Sequence, residues 1–219
     1  MDVPSIELVS VNVGLPAPLG PHRGRMVHSA IVKRPVEVDT IAVTTLNLAG
    51  DQQADRRVHG GPDKAVYAYP SEHLAGWNDE LGLDAGPGFF GENLTTGGAT
   101  ESEVVIGDRW RWGAVLLEIC QPRSPCFKLA LRSRQSRIGP RMLSTGRSGW
   151  YARVVEAGSA PTTGGLHLEH RPTHGVTVLD SWWARFDRDA SEDEQERVLA
   201  APELAAEWRW SIERRMELQ

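Results

Sequence analysis

One stretch constrains this chain more than any other. The apolar run Val115-Leu116-Leu117-Glu118-Ile119-Cys120 leads directly into Gln121-Pro122-Arg123-Ser124-Pro125-Cys126-Phe127-Lys128. The run is short, apolar and carries β-branched residues, which predicts a buried strand. Pro122 and Pro125 then end it, because each lacks a donor N–H and restricts the residue before it. Cys126 is therefore expected on a stiff loop just past a strand end, with Arg123 and Lys128 on either side. A cation near a thiol favours the thiolate, the form that attacks electrophiles and binds metals. The residues alone leave two readings of Cys126 open: a reactive or metal-binding thiol, or a small buried hydrophobe. Cys120 lies inside the apolar run and reads as core packing.

Charge sharpens the picture. The 219 residues carry a net charge of −5, so bulk attraction to nucleic acid is not expected. Yet from Ile119 to Val155 there is no Asp or Glu, while Arg123, Lys128, Arg132, Arg134, Arg137, Arg141, Arg147 and Arg153 all fall there. Such a window reads either as an anion site or as a basic face balanced by acids elsewhere. No apolar run approaches the ~18 residues of a membrane span. Met1-Asp2-Val3-Pro4 lacks the order of a secretory signal, and two cysteines six positions apart make no disulfide framework. These features lead us to expect a soluble protein of the reducing cytoplasm.

The rest of the chain reads as β-rich. Residues 5–13 alternate like a strand, a Gly/Pro-rich turn runs through Gly24, and residues 28–33 and 36–46 give further strands split by Pro35. A long polar loop, residues 48–64, contains His59-Gly60-Gly61-Pro62-Asp63-Lys64; loops of this length are usually functional or disordered. His59 stands beside two glycines, either as a proton-exchanging group or as an exposed residue. Residues 65–69 form a strand. Ser71 reads as the N-cap of a helix with Leu74, Trp77 and Leu81 on one face and Gly82 ending it. Glu92 reads as a loop-bracing acceptor. Glu103 to Trp112 reads as a hairpin turning at Gly107-Asp108. Residues 137–144 suit a short helix, and Leu143 to Trp150 a small-residue loop with an arginine, able to cradle phosphate, although without the Walker ending. Trp150 to Glu156 and Gly165 to Arg171 read as closing strands.

Composition shifts after Pro172. Val178, Trp182 and Phe186 recur at helical spacing, Ser191 to Glu194 is a capping box, and Pro202 suits the first turn of a last helix carrying Leu204, Trp208 and Ile212. Residues 176–219 hold six arginines against eleven carboxylates, which repels phosphate. A docking or dimer-forming appendage is expected rather than a DNA reader. The whole reads as eight or more mostly antiparallel strands in a β-barrel or sandwich, mainly β within an α+β class, with one inserted helix and a helical tail.

Several segments together resemble one family. Ser29-Ala30-Ile31-Val32-Lys33, Val58 to Tyr67, Phe90-Gly91-Glu92-Asn93-Leu94, Gly107-Asp108, Gln121 to Cys126 and Gly146 to Trp150 occur in this order in MOSC-domain proteins of the YiiM type. The resemblance covers residues 5–172, and the tail resembles the three-helix segment that follows the domain there. It implies a MOSC β-barrel domain over residues 1–172 and a helical segment over 173–219. It also implies the molybdenum cofactor, a pterin bearing a dithiolene and a phosphate, with Cys126 as thiolate ligand to molybdenum. Lys33, His59 and Cys126 match the residues lining that pocket. Arg123, Lys128, Arg147, Ser148, Gly60, Gly61 and Asn93 are the expected cofactor contacts. The implied activity is reduction of N-hydroxylated bases to amines with electrons from a separate reductase. A homodimer is a further expectation, and the charge balance and the lack of a long apolar run lead us to expect no nucleic-acid or membrane partner. Two rivals stand beside it: a sulfur carrier holding persulfide on Cys126, and a non-catalytic protein that stores or transfers the cofactor. Strand alternation further implies that only one of Lys33 and Arg34 faces the pocket.

Overall fold

A computed structural model describes residues 5–53 and 60–218. In chain order the strands are β1 (Ile6–Val13), β2 (Ala17–His22), β3 (Arg25–Ser29), β4 (Arg34–Pro35), β5 (Thr40–Val43), β6 (Val66–Pro70), β7 (Leu94–Gly97), β8 (Arg109–Trp112), β9 (Val115–Pro122), β10 (Trp150–Glu156), β11 (Gly158–Pro161) and β12 (Gly165–His170). The helices are α1 (Glu72–Leu81), α2 (Phe127–Ser133), α3 (Ile138–Thr145), α4 (Val178–Phe186), α5 (Glu192–Leu199) and α6 (Ala206–Met216). Among the described residues no helix is long and apolar enough to cross a membrane.

Seven strands close a barrel in the order β1-β12-β8-β9-β10-β6-β7, with β7 returning to β1. Among the described residues only the β6–β7 strand pair is parallel, and a parallel pair needs a crossover, which α1 and the loop after it supply. Every residue of β9, which contains the apolar run, is buried, as is every residue of β6. On β10, Trp150, Ala152 and Val154 turn inward, whereas Tyr151 and Arg153 lie half-buried on the other face. This period of two is what a barrel wall requires.

The structure redraws several local expectations. The Gly/Pro-rich turn is a hairpin: β2 and β3 pair across Arg23-Gly24, both at positive φ, as a two-residue hairpin turn demands. Residues 30–33 leave the sheet, and only Thr40–Val43 of the next expected strand pairs, with β11. Gly107-Asp108 makes no hairpin. Asp108 is fully buried, accepts from Val105 N at 3.0 Å and binds the Arg171 guanidinium. The hairpin is β8–β9, turning at Gly113-Ala114 with Gly113 at φ +59°. Ser71 sits in helical geometry and gives no side-chain cap to α1, but Gly82 ends it in the left-handed conformation, as expected. Three helices rather than one are inserted, since α2 and α3 follow Cys126.

The tail packs on its own barrel. Capping boxes at Thr177/Asp180 and Ser191/Glu194 start α4 and α5. Pro202 lies ahead of the last helix, which begins at Ala206. Trp182 and Trp208 stack near Phe186, at ring separations of 4.5 and 5.9 Å from it. Ala205 N donates to Cys120 O at 2.9 Å, and Arg153 reaches Glu203 O at 2.9 Å. The tail therefore braces β9, the strand that carries the cysteine loop.

Candidate functional site

β9, β10, β6, β7 and β1 are successive neighbours around the barrel. Residues at or beside them converge on one cleft of about 600 Å³, its solvent opening included. β9 ends at Pro122, and Arg123 follows with only 6% of its surface exposed. Its guanidinium lies 5.2 Å from the Tyr67 ring centre, and its Nη2 is 3.9 Å from Cys126 Sγ. Nη1 is buried without a partner among the described residues. Tyr67 and Tyr151 pack ring to ring at 5.1 Å, and burial pushes both phenols above their ordinary value, so both stay protonated donors. Tyr67 donates to Ser148 O at 2.8 Å. Cys126 takes an extended conformation where α2 begins, partly exposed, on the stiff loop expected for it. Cys120, by contrast, is fully buried and donates to Asp63 O at 3.2 Å; burial pushes its thiol far up and leaves it inert.

The opposite wall is a buried ion pair. Lys33 Nζ meets Asp51 Oδ2 at 2.6 Å, with the side chains 8% and 3% exposed. Asp51 also accepts from Gly14 N at 2.8 Å and Asn93 Nδ2 at 2.9 Å. Burial lowers the Lys33 pKa, against the upward pull of Asp51, and so brings a proton donor closer to neutrality. Arg34 is exposed, so Lys33 is the one of the two that faces the cleft. The segment carrying Lys33 sits against a loop that only glycine permits: at Gly91, with φ +82°, a Cβ would meet Ile31 Cγ1 at 2.8 Å. That loop is held by Glu92, fully buried, which accepts from Gly88 N, Phe90 N and Thr95 Oγ1. Burial raises its carboxyl pKa, and these donors act against the rise. Glu92 braces, as the sequence suggests.

With this geometry in place, comparison with known proteins decides the family. The MOSC domain pattern matches residues 55–166. Protein YiiM of Escherichia coli is 40% identical over 196 residues, covering 85% of this chain and 84% of YiiM. This chain is a MOSC-domain protein of the YiiM type. The crystal structure of YiiM from Geobacillus stearothermophilus superposes with a TM-score of 0.80 at 31% identity, covering 96% of this chain and 99% of that one. A protein named "Reductase" from Gibberella moniliformis is 35% identical over 161 residues, or 72% of this chain and 28% of its own length. The family takes its name from the C-terminal domain of molybdenum cofactor sulfurase.

The residues expected to form this MOSC site divide. Lys33, Asn93, Arg123, Cys126 and Lys128 all line the cleft. Asn93 is spent on bracing, since its Oδ1 accepts from Tyr67 N and its Nδ2 donates to Asp51 and Asn12 O. Arg147 does not reach the cleft. It pairs with Glu80 at 2.8 Å and lies over the Trp77 ring. Ser148 is buried behind Tyr67, its hydroxyl donating to Gly149 O, so the 146–149 loop is no phosphate cradle here. Gly60 and Gly61 stand outside the cleft wall; Gly61, at φ +105°, opens the 3₁₀ turn Pro62–Lys64, and Lys64 does line it. His59 lies outside the described residues. The acid-free window also divides: Arg123 and Lys128 face the cleft, whereas Arg141 and Arg147 share Glu80 and Arg153 pairs with Asp63 and Glu118. Asp51 was missed as a site residue. It sits in a polar loop eighteen residues from Lys33, and only the fold brings them together.

The donor set fits the cofactor that the family name points to. Among the described residues lining the cleft are four cations, Lys33, Lys64, Arg123 and Lys128, against one carboxylate, Asp51. An anionic phosphate or pterin suits that balance, and the orphaned Nη1 of Arg123 is a buried donor awaiting an acceptor. Cys126 offers one soft sulfur, which suits a soft metal that arrives with further ligands of its own.

Proposed function

We propose that this chain is a cytoplasmic molybdenum-cofactor-dependent reductase that converts N-hydroxylated bases to amines, with electrons from a separate reductase. One observation carries the reading: a partly exposed Cys126 beside a buried Arg123 with an unpartnered Nη1, in a cleft dominated by cations. The reductase-named relative supports the same class. In the net reaction the N–O bond breaks, nitrogen gains two electrons, two protons are taken up and water leaves. When bound, the cofactor supplies the two-electron redox change.

The chain's own residues do the rest. Cys126 ligates through sulfur, and Arg123 and Lys128 hold negative charge on the cofactor. Lys33 Nζ, held by Asp51 and shifted down by burial, hands a proton to the departing oxygen. His59 delivers the second proton, a role resting on its ordinary pKa of about 6.5. A persulfide carrier would use Cys126 equally well but leaves the buried Lys33–Asp51 pair without a task.

The test is molybdenum and pterin content per chain for wild type and Cys126→Ser, made in a host that assembles the cofactor, followed by turnover of an N-hydroxylated purine with a chemical reductant. Near-stoichiometric molybdenum, lost in the variant, together with turnover supports the reading. No molybdenum in either protein defeats it and directs attention to persulfide on Cys126, read by mass spectrometry.

A further inference from the structure

A second recess adjoins the cleft on the side of the tail. It measures about 580 Å³, solvent opening included, and is formed by Gln121, Ser124, Pro125 and Glu207 together with residues that also line the cleft. Those shared residues are Lys64, Arg123, Cys126 and Tyr151, so the two hollows meet at the thiol. Their chemistry differs. The cleft proper carries cations, with its single described carboxylate committed to Lys33. The recess shares two of those cations, Lys64 and Arg123, and adds acceptors beside them. Gln121 is 2% exposed, and its Oε1 is buried with no partner among the described residues. Glu207 stands on α6, 59% exposed at its side chain, and contacts Lys64 Nζ at 2.5 Å. The tail also fixes the recess wall from behind, where Arg185 donates to Ser124 Oγ at 3.0 Å.

We propose that this recess is the substrate subsite and that Gln121 and Glu207 are its specificity-determining residues, accepting hydrogen bonds from the N–H and N–OH groups of an N-hydroxylated base. The proposal deepens the reductase reading and rests on it. An unpaired buried acceptor is costly, and a ligand that brings a donor removes that cost. A phosphate-bearing cofactor is drawn to the cationic cleft. A neutral or protonated base, rich in N–H donors, matches the acceptor side and meets Cys126 from there. Specificity of this kind is strong because a compound lacking the donors leaves the protein's acceptors unpaired. The C-terminal tail thereby becomes part of the site, through Glu207.

The experiment measures two quantities on cofactor-loaded protein: Kd for 6-hydroxylaminopurine by calorimetry, and KM and kcat for its reduction. Wild type, Glu207→Gln and Gln121→Leu are compared, with molybdenum content and melting temperature recorded for each. Glu207 is exposed, so its variant keeps the fold, and Gln121→Leu is read only through its ratio to that variant and its molybdenum content. The expected result is a rise of about tenfold in both Kd and KM for each variant, with molybdenum content unchanged: Gln121→Leu loses one ligand hydrogen bond, and Glu207→Gln keeps an acceptor but loses the charge that makes its bond the stronger kind. If wild type reduces the purine and Glu207→Gln keeps its Kd and KM, the recess assignment is overturned and the reductase reading stands. If wild type holds molybdenum yet neither binds nor reduces the purine, both fall. Loss of molybdenum in Glu207→Gln would assign the recess to the cofactor instead and overturn the proposal.

Discussion

Replacing Lys33 with methionine tests the buried pair on which the cleft is built. Methionine matches the length and apolar stem of lysine but removes the charge that faces Asp51 at 2.6 Å. Both side chains are more than nine-tenths buried, so the carboxylate cannot recover solvation in place. Breaking a buried pair by removing one partner costs about 3–5 kcal/mol, chiefly the uncompensated charge left behind. Asp51 keeps the donors Gly14 N and Asn93 Nδ2, which places the expected cost near the lower end, about 3 kcal/mol. For a chain of this size each kcal/mol shifts the melting temperature by about 2–4 °C, giving a fall of about 6–12 °C. The double variant Lys33→Met/Asp51→Asn removes both charges while an amide still accepts from Gly14 N, so it should regain most of the loss. In Asp51→Asn alone, Lys33 stands buried without its carboxylate. Burial already places the folded-state lysine pKa below its unfolded value, so the penalty is full below the folded pKa and is relieved as pH rises toward the unfolded one. The Asp51→Asn deficit should therefore shrink between neutral and alkaline pH. Thermal melts across pH measure all of this. Lys33→Met melting within about 2 °C of wild type, or a double variant as unstable as the summed singles, would refute the reasoning.

Four further outcomes are expected. In the folded protein iodoacetamide should label Cys126 and spare Cys120, which burial keeps protonated, and peptide mapping reads the two apart. Arg141 and Arg147 hold the Glu80 carboxyl at about pH 2, below its usual 4.5, so their stabilisation is present above the unfolded pKa and lost as pH falls through that window. Glu80→Gln should flatten the acid side of the melting curve there, and Arg147→Gln should leave molybdenum content unchanged, because Arg147 is committed to Glu80. Gly149→Ala should destabilise by about 2–3 kcal/mol in urea unfolding, since φ is +64° and the added Cβ would collide with Ala68 O, for which backbone strain alone costs about 1–3 kcal/mol.

What could be read from the sequence followed its local physics. The all-buried β9 announced itself as an apolar run stopped by two prolines, and Cys126 fell where that stop implied. The capping box at Ser191 and the terminal Gly82 located helices because a cap is a few residues with defined geometry. The misread turns failed for a matching reason. Gly107-Asp108 has the residues of a hairpin turn, but Asp108 turns inward to Arg171 and the backbone of Val105, a long-range use that no local pattern carries. The acid-free window was ambiguous because ion pairing is tertiary: Glu80, sixty-seven residues from Arg147, takes that cation away from the site.

The placement of the site follows from how the barrel closes. The segment of Lys33 packs against the Gly91 loop, Lys64 lies in the 3₁₀ turn, Arg123 directly follows β9, and Lys128 lies in the first turn of α2. Mutual repulsion among four cations would push any single flexible loop apart. Distributed over a closed sheet, the cost falls on the whole core, which includes the tail packed on β9 through Ala205 and Arg153. Asp51 offsets Lys33 and Glu207 offsets Lys64, and the positive field that Arg123 and Lys128 add is a standing attraction for an anion, preorganised rather than built on binding. On this view the tail serves the site twice, stiffening the strand that presents Cys126 and supplying, at Glu207, the one carboxylate among the described residues that line the recess.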